Sequence, residues 1–280
     1  MCRLYGLRAT EPTKVECTLV YAQNALMSQS RQDLAGHSHG HGWGVAIYED
    51  HMPRIEKQAW AAFHGEHFRQ AAARIHARAV LAHIRRATVG PAAPENTHPF
   101  VHDRWAFAHN GTIPHFDTVR ARMLEATAAP HRASIGGSTD SEHLFHMLLT
   151  AIEAAPTQPL TEVVRQTLKR ITDCCHSVDP TSPIGLNVLL TDGDQFVGSR
   201  WGRTLFYVER DGVHDCEICG FPHIRHHRDH NYRATVVASE PISHEAWQEV
   251  PEGSIFRIAP DMSLQLEPLL LPAPTLNEVN

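Results

Sequence analysis

Strand-like segments fall into two groups along the chain, and two amphipathic helical segments separate the groups. Short apolar or alternating runs bounded by turn residues predict strands at residues 3–7, 43–48, 80–84, 104–108, 185–191, 195–199, 204–209, 233–238 and 254–258. The connections between these strands are too short for a regular βαβ array. The order strands, helices, strands therefore predicts a layered α+β domain.

The first separating helix has a clear N-terminal signal. Thr139 and Glu142 have capping-box spacing, which predicts Thr139 as the N-cap and Glu142 at position N3. Residues 160–174 form the second amphipathic pattern. Helices are also predicted at residues 19–29 and, because the segment is rich in Ala and Arg, at residues 68–78.

The length and composition are those of a globular chain with one large domain or two small ones. The 280-residue chain is 42% hydrophobic and 20% charged, which is enough for a sizeable core. Its net charge of −6 argues against a nucleic-acid surface, and no apolar run is long enough for a membrane span. Residues 1–6 lack the layout of a signal peptide, and six cysteines are too few for a disulfide scaffold. We therefore expect a chain that stays in a reducing cytoplasm.

Cys2 directly follows the initiator methionine, and its small side chain permits removal of Met1. Removal would leave a terminal cysteine whose α-amine, with a pKa near ~8, can accept the proton of a thiol with a pKa near ~8.5. The same amine can then protonate a leaving group. This is the chemistry of N-terminal nucleophile catalysis. The structural alternative is an inert, buried small residue.

An acyl-transfer site also needs oxyanion donors and a substrate clamp. Asn110 and Gly111, expected in a tight turn at a strand end, offer an amide side chain and a backbone N–H as donors. Arg85, at another strand end, suits a carboxylate, and Asp140, in the first turn of a helix, suits an ammonium. Together they specify an α-amino acid head group whose side-chain carbonyl would meet the thiol. The deduced substrate is glutamine or a γ-glutamyl compound.

Each of these residues also has a plain structural interpretation. Asn110-Gly111 is typical of a hairpin turn, and Asp140 favours the helix dipole without any ligand. Arg85 suits a solvated surface position. Thr88 either helps to position the substrate carboxylate or bonds only within its own loop.

These residues fall in motifs that resemble those of the class II glutamine amidotransferases, which are N-terminal nucleophile hydrolases. The motifs follow one another in a single order over residues 2–241, which leaves residues 242–280 for C-terminal strands and a tail. They are Met1-Cys2-Arg3-Leu4, Gly42-Trp43-Gly44-Val45-Ala46, His83-Ile84-Arg85-Arg86-Ala87-Thr88-Val89-Gly90, Asn96-Thr97-His98-Pro99-Phe100, His109-Asn110-Gly111, Ser138-Thr139-Asp140-Ser141-Glu142 and Ser239-Glu240-Pro241.

The resemblance implies a single domain over residues 2–280, folded as a four-layer αββα sandwich of two antiparallel sheets, with Cys2 as the nucleophile. It implies that Arg85 binds the substrate α-carboxylate, that the segment of Asn110 and Gly111 stabilises the oxyanion, and that Asp140 binds the substrate amine.

Three positions depart from the pattern of many biosynthetic members. Arg86 stands where they often have Trp, Val89 where they have His, and His41 where they have Asp. These departures leave the amino-acid clamp in place and concern the acceptor side of the reaction.

The histidines form two local clusters. Residues 37–41 lie in a Gly/His segment that is predicted to be a solvent loop and a lid over the site. The second cluster combines Cys216 and Cys219 with a run of histidines. These residue types suit zinc, but the spacing does not match a standard finger. A polar hairpin is therefore favoured and no metal ligand is assigned, with a structural zinc as the alternative; the histidines concerned are His223, His226, His227 and His230.

The expected activity is that of a stand-alone class II amidotransferase or glutaminase that works through a Cys2 thioester without a cofactor. If ammonia leaves, a separate acceptor synthase is the expected partner, because the resemblance takes up most of the chain. One alternative is a γ-glutamyl amide hydrolase like that of ergothioneine synthesis, which trims a larger conjugate. The other is an inactive, metal-stabilised regulatory subunit. A homodimer is compatible with either.

Overall fold

The computed structural model describes residues 2–224 and 231–272. Its strands are Arg3–Lys14 (β1), Trp43–Tyr48 (β2), Pro53–Gln58 (β3), His76–Ile84 (β4), Phe100–His102 (β5), Trp105–Thr112 (β6), Gly185–Thr191 (β7), Phe196–Arg200 (β8), Phe206–Asp211 (β9), Arg233–Ala238 (β10), Gln248–Glu249 (β11), Ser254–Ile258 (β12) and Leu264–Pro268 (β13). Its α-helices are Leu26–Arg31 (α1), His67–Ala73 (α2), Phe116–Glu125 (α3), Ala129–Ala133 (α4), Asp140–Ala154 (α5) and Leu160–His176 (α6). No helix within the two described ranges has the length and apolar character needed to cross a membrane.

The strands form two antiparallel sheets. The first has seven strands in the order β11-β9-β10-β1-β4-β2-β3, and the second has six in the order β13-β12-β8-β7-β6-β5. One cluster of buried apolar side chains lies between the first sheet and helices α1 and α2. A second lies between the sheets, and a third lies between the second sheet and helices α3, α5 and α6. The predicted four-layer αββα sandwich is confirmed.

Strand β1 places the first residues of the chain at the middle of the first sheet, between β4 and β10. Neighbouring residues of a strand point to opposite faces. Leu4 accordingly packs between the two sheets, whereas Tyr5 and Leu7 pack against the helices. On β4, Leu81 points between the sheets and Ile84 points outward. By the same alternation, the side chains of Cys2 and Arg85 face the side on which Leu4 and Leu81 lie, which is the space between the two sheets.

Helix α5 begins where the capping pattern predicts. Thr139 is the N-cap, and its hydroxyl accepts a hydrogen bond from the backbone N–H of Glu142 at 3.2 Å. The Glu142 carboxylate does not complete the capping box, because it accepts the N–H groups of residues 136 and 137 at 3.0 and 2.7 Å instead. The helix start is therefore tied to the loop before it.

Two predicted helices differ from the structure. The helix expected at residues 19–29 is split into a π-helical turn, Cys17–Tyr21, and α1, because Asn24 between them bonds to the backbone of residues 241 and 242. The helix expected at residues 68–78 is shorter in the structure, because α2 ends at Ala73. From His76 onward the chain is strand β4, which pairs with β1. Long-range strand pairing overrides the helical propensity of Ala and Arg there.

Candidate active site

Cys2 lies directly before β1 and against the segment that follows β4. Its Sγ accepts the backbone N–H of Arg86 at 3.3 Å and lies 3.4 Å from the carbonyl oxygen of the same residue. Burial raises the pKa of the Cys2 thiol, and the hydrogen bond from Arg86 and the charge of Arg85 oppose that rise. The thiol is therefore protonated near neutral pH and needs a base to become a nucleophile.

Arg85 follows β4 and is 2% exposed, so the solvated surface interpretation is wrong. Its two terminal nitrogens donate to the carbonyl groups of residues 89–91 at 2.8 to 3.1 Å, which fixes the guanidinium. Burial lowers the pKa of Arg85, and the nearby groups of Cys2 and Asp140 oppose the change. These three side chains therefore lie within electrostatic range of one another.

Asn110 and Gly111 are not in the predicted tight turn. Both lie inside β6, where Asn110 is paired with Asn187 on β7. Gly111 is required by packing, since a Cβ there would lie 1.9 Å from the carbonyl oxygen of Gly185. The Asn-Gly pair marks a close approach of two strands at this position instead of a reversal of the chain.

The Asn110 side chain is buried yet weakly held. Its Nδ2 lies 3.4 Å from the hydroxyl oxygen of Ser239, which is a long hydrogen bond. Its Oδ1 is buried without a hydrogen-bond partner in the described part of the chain. An amide in this state can turn its N–H donors to a substrate oxygen at little cost.

Asp140 is the first residue of α5 and is 3% exposed. Its Oδ2 accepts the backbone N–H of Ile113 at 2.8 Å, and its Oδ1 accepts that of Ser141 at 2.9 Å. These bonds aim the carboxylate from the second helical layer toward the end of β6.

Thr88 lies at the exposed rim of this region. The Thr112 hydroxyl, at the end of β6, donates to the Thr88 hydroxyl oxygen at 3.4 Å. The loop after β4 is thereby linked to the strand that carries Asn110.

The Gly/His segment of residues 37–41 lies against the same loop. The carbonyl of Gly42 accepts the N–H of Arg85 at 2.7 Å, and His41 Nδ1 accepts the N–H of Ala87 at 2.9 Å. The expectation of a solvent loop is wrong for His39, which is fully buried and lies 2.9 Å from the carboxylate of Asp33. Residues 37–41 therefore line the site and are held to the loop after β4 by hydrogen bonds.

The structure contains a buried ion-pair network at Arg3 that the sequence did not predict. The Arg3 guanidinium pairs with the carboxylates of Asp33 and, at 2.8 Å, Glu240, and it donates to the backbone carbonyl of Cys2 at 3.0 Å. Next to it, the Ser239 hydroxyl accepts the N–H of the second residue of β1 at 2.9 Å. The Ser239-Glu240 motif therefore anchors the residues that carry the thiol. The motif Ser239-Glu240 can be recognised in the sequence, but the sequence does not indicate which residues it contacts.

The Asp33→Asn variant is expected to lose about 3–5 kcal/mol of unfolding free energy, because it leaves the buried charge of Arg3 under-compensated. Urea unfolding would measure the change. The matched control is Asp173→Asn, which removes an exposed ion pair with Lys169 and is expected to cost at most about 1 kcal/mol. Equal losses in the two variants would contradict a stabilising role for the network.

Buried histidines make the fold sensitive to acid. Burial, with the charge of Arg3, lowers the pKa of His39 to about 4, and burial with neighbouring histidines lowers that of His146 to about 4. Burial also lowers the pKa of His83 and of His98, and the ring nitrogens of His98 have no hydrogen-bond partner in the described residues. Since these groups resist protonation only when folded, the unfolded chain binds more protons below about pH 6.5.

The free energy of unfolding is therefore expected to fall as the pH drops from about 6.5 to 4, by about 1.4 kcal/mol per pH unit for each such histidine. Urea unfolding at several pH values would measure the slope. The His146→Phe variant removes one of these histidines and is expected to lower the slope by about 1.4 kcal/mol per pH unit. A wild-type stability that is constant from pH 6.5 to 5 would contradict the prediction.

The second His/Cys cluster lies elsewhere. Cys216, Cys219 and His223 meet one another, and Cys17, which the sequence analysis did not single out, joins them. The other histidines of the predicted cluster lie outside the described residues; they are His226, His227 and His230.

Comparison with known proteins identifies the family of this chain. The family model for class II glutamine amidotransferases matches residues 1–261. A probable glutamine amidotransferase of Saccharomyces cerevisiae, DUG3, is 27% identical, and the match covers 99% of this chain and 90% of that protein. The gamma-glutamyl-hercynylcysteine sulfoxide hydrolase of Mycobacterium tuberculosis is 25% identical over 92% of this chain and 93% of its own length.

Solved structures show the same architecture. A glutamine aminotransferase class-II domain protein from Silicibacter pomeroyi superposes with a TM-score of 0.65 at 20% identity, over 97% of this chain and all of that one. The glutamine phosphoribosylpyrophosphate amidotransferase of B. subtilis superposes with a TM-score of 0.62 at 18% identity, over 97% of this chain and 50% of that one. The predicted family is thus confirmed, and the chain belongs to the class II glutamine amidotransferases.

Proposed function

We propose that this protein hydrolyses the side-chain amide of glutamine or a related γ-glutamyl compound through a thioester on Cys2. The convergence of Cys2, Arg85, Asn110 and Asp140, from four separate segments of the chain, carries the proposal. A thiol, a buried guanidinium, a weakly held amide donor and a buried carboxylate are the groups that an amidase for an amino acid requires.

Arg85 and Asp140 bind the head group of the substrate. The α-carboxylate pairs with the Arg85 guanidinium, whose position is already set by the carbonyl groups of residues 89–91. The α-ammonium pairs with the Asp140 carboxylate. Both ion pairs form in a largely buried site, where charge-assisted hydrogen bonds are strong. Thr88 lies at the rim and helps to position the carboxylate.

Catalysis begins with the terminal amine that removal of Met1 exposes. Because burial raises the pKa of the Cys2 thiol, the α-amine must take its proton, directly or through a water molecule. The sulfur then bonds to the amide carbon, and the Asn110 amide and the Gly111 N–H stabilise the oxyanion. The protonated amine gives its proton to the departing nitrogen as the C–N bond breaks. Water hydrolyses the thioester and releases the γ-carboxylate and the free thiol.

A second candidate is hydrolysis of a larger γ-glutamyl amide. The relative named gamma-glutamyl-hercynylcysteine sulfoxide hydrolase favours it. So do Arg86 and Val89, which depart from the biosynthetic pattern on the acceptor side. In the first candidate, ammonia passes to a separate acceptor synthase; in the second, no acceptor is needed.

A substrate panel tests both candidates. Glutamine and a series of γ-glutamyl amides and peptides would be incubated with the full chain, and glutamate, ammonia and the released amine would be quantified. A preference for glutamine with equal yields of ammonia and glutamate supports the glutaminase. A preference for a conjugate supports the amide hydrolase. No glutamate release from any compound by a chain that lacks Met1 would overturn the proposal and favour the regulatory subunit.

The Arg85→Ala variant is expected to weaken substrate binding by about 2–4 kcal/mol, which corresponds to roughly 30- to 1000-fold in KM, because a buried charged contact is lost. Steady-state kinetics would measure it. The matched control is Arg78→Ala, an exposed arginine on the same strand, which is expected to leave KM unchanged. An unchanged KM in Arg85→Ala would remove this residue from the clamp.

A further inference from the structure

Four potential metal ligands meet beyond the far end of β1 from Cys2. The sulfur atoms of Cys17, Cys216 and Cys219 and a ring nitrogen of His223 all lie within 4.8 Å of one another. Cys17 lies in the π-helical turn after β1, and the other three lie between β9 and β10. The set unites two segments that are about 200 residues apart in the chain.

The spacing of these atoms is close to that of a tetrahedral zinc centre. With Zn–S near 2.3 Å and Zn–N near 2.0–2.1 Å, tetrahedral geometry separates two sulfur ligands by about 3.8 Å, and a sulfur and a nitrogen by about 3.5 Å. The observed distance from Cys219 Sγ to His223 Nε2 is 3.5 Å. Since all the atoms lie within 4.8 Å of one another, the remaining sulfur–sulfur pairs need to contract by at most about 1 Å, and the remaining sulfur–nitrogen pairs by at most about 1.3 Å, to meet a common ion.

The backbone around the cysteine pair already has a turn suited to holding a metal. The N–H of Ile218 points to Cys216 Sγ at 3.4 Å, and the N–H of Gly220 donates to the Cys216 carbonyl at 2.8 Å. Gly220 adopts a φ of +73°, which a side chain would disfavour. Amide N–H groups directed at sulfur stabilise the thiolate that a metal requires.

The histidine is held by β1 itself. The N–H of Lys14, the last residue of β1, donates to the carbonyl of His223 at 2.8 Å, and Thr13 forms a β-bridge with Ile224. Both halves of the ligand set are therefore attached to the same end of one strand.

We propose that Cys17, Cys216, Cys219 and His223 bind one structural Zn²⁺ ion. Three cysteines and one histidine form a closed tetrahedral set, which leaves no position for a substrate or a catalytic water. Cys17 is buried and Cys219 is exposed, so the ion would attach the exposed segment that carries Cys219 to the buried turn that carries Cys17. The site is separated from Cys2 by the length of β1, and its role is to hold the connection between β9 and β10 in place.

The test measures metal in the full chain, purified under reducing conditions without an affinity tag that binds metals. Elemental analysis of the wild type is expected to give close to one Zn²⁺ per chain. Cys17→Ser and Cys219→Ser are expected to lower zinc affinity by at least roughly 100-fold. Cys174→Ser, a cysteine in α6 outside the set, is the matched control and is expected to retain zinc. Substitution of Co²⁺ into the wild type is expected to give the visible absorption of tetrahedral cobalt with thiolate ligands.

The cobalt spectrum keeps the proposal testable if the serine variants do not fold. A wild type that contains no zinc and binds no Co²⁺ would overturn it, as would full zinc retention in Cys17→Ser and Cys219→Ser. A disulfide among these cysteines, seen as a loss of two mass units in a metal-free chain, would also overturn it. None of these readouts depends on Cys2 or on amidase activity, so this proposal and the proposed function fail separately.

Discussion

The Cys2→Ala variant is expected to lose essentially all glutamate release, with kcat lowered by roughly 10⁴-fold or more. Without the sulfur no thioester forms, and neither Arg85 nor Asp140 can replace the nucleophile. The fold is expected to survive, because Cys2 precedes β1 and the anchoring bonds belong to Arg3 and Ser239. Single-turnover and steady-state assays on the best substrate of the panel would measure the loss.

Three controls give that result its meaning. Cys174→Ser is expected to retain full activity, which separates the role of Cys2 from a general effect of thiols. Mass spectrometry of the wild type is expected to show removal of Met1 and one covalent adduct with a glutamine-analogue electrophile, located on Cys2. Substantial activity in Cys2→Ala, or a mature chain that keeps its methionine, would refute the thioester mechanism.

The Asn110→Ala variant is expected to lower kcat by roughly 10²- to 10³-fold with little change in KM, because the oxyanion donor acts mainly in the transition state. Asn110→Asp keeps the shape but replaces the donating amide by a carboxylate, so an equal or larger loss is expected. Steady-state kinetics on glutamine and on the preferred conjugate would measure both variants.

The exposed Asn231 provides the matched control. Asn231→Ala removes a surface amide and is expected to leave kcat and KM unchanged. Circular dichroism and urea unfolding would check that Asn110→Ala retains the fold. A variant with normal kcat would mean that the oxyanion is stabilised elsewhere, with Gly111 alone or another backbone N–H as the donor.

The sequence indicated the chemistry of the site because each motif is local. Arg85 comes directly after an apolar run, and Thr139-Asp140 begins a helix whose cap depends on neighbouring residues. The strand-helix-strand order and the motif order were sufficient for the fold class and the family. The Asn-Gly pair predicts a turn, but its local preference for positive φ gives no sign of the close contact with Gly185 that requires the glycine.

What the sequence alone determined is therefore the set of reactive groups and the layered class of fold. The tertiary structure decided which distant groups meet: Arg3 with Asp33 and Glu240, and Cys17 with Cys219. Both sets of contacts lie at the ends of β1. This strand pairs with β4 on one side and with β10 on the other, and segments near β10 in the chain are thereby brought to its two ends. Local pattern reports the conformational preference of a few neighbouring residues, whereas these contacts are set by the packing free energy of the whole sandwich.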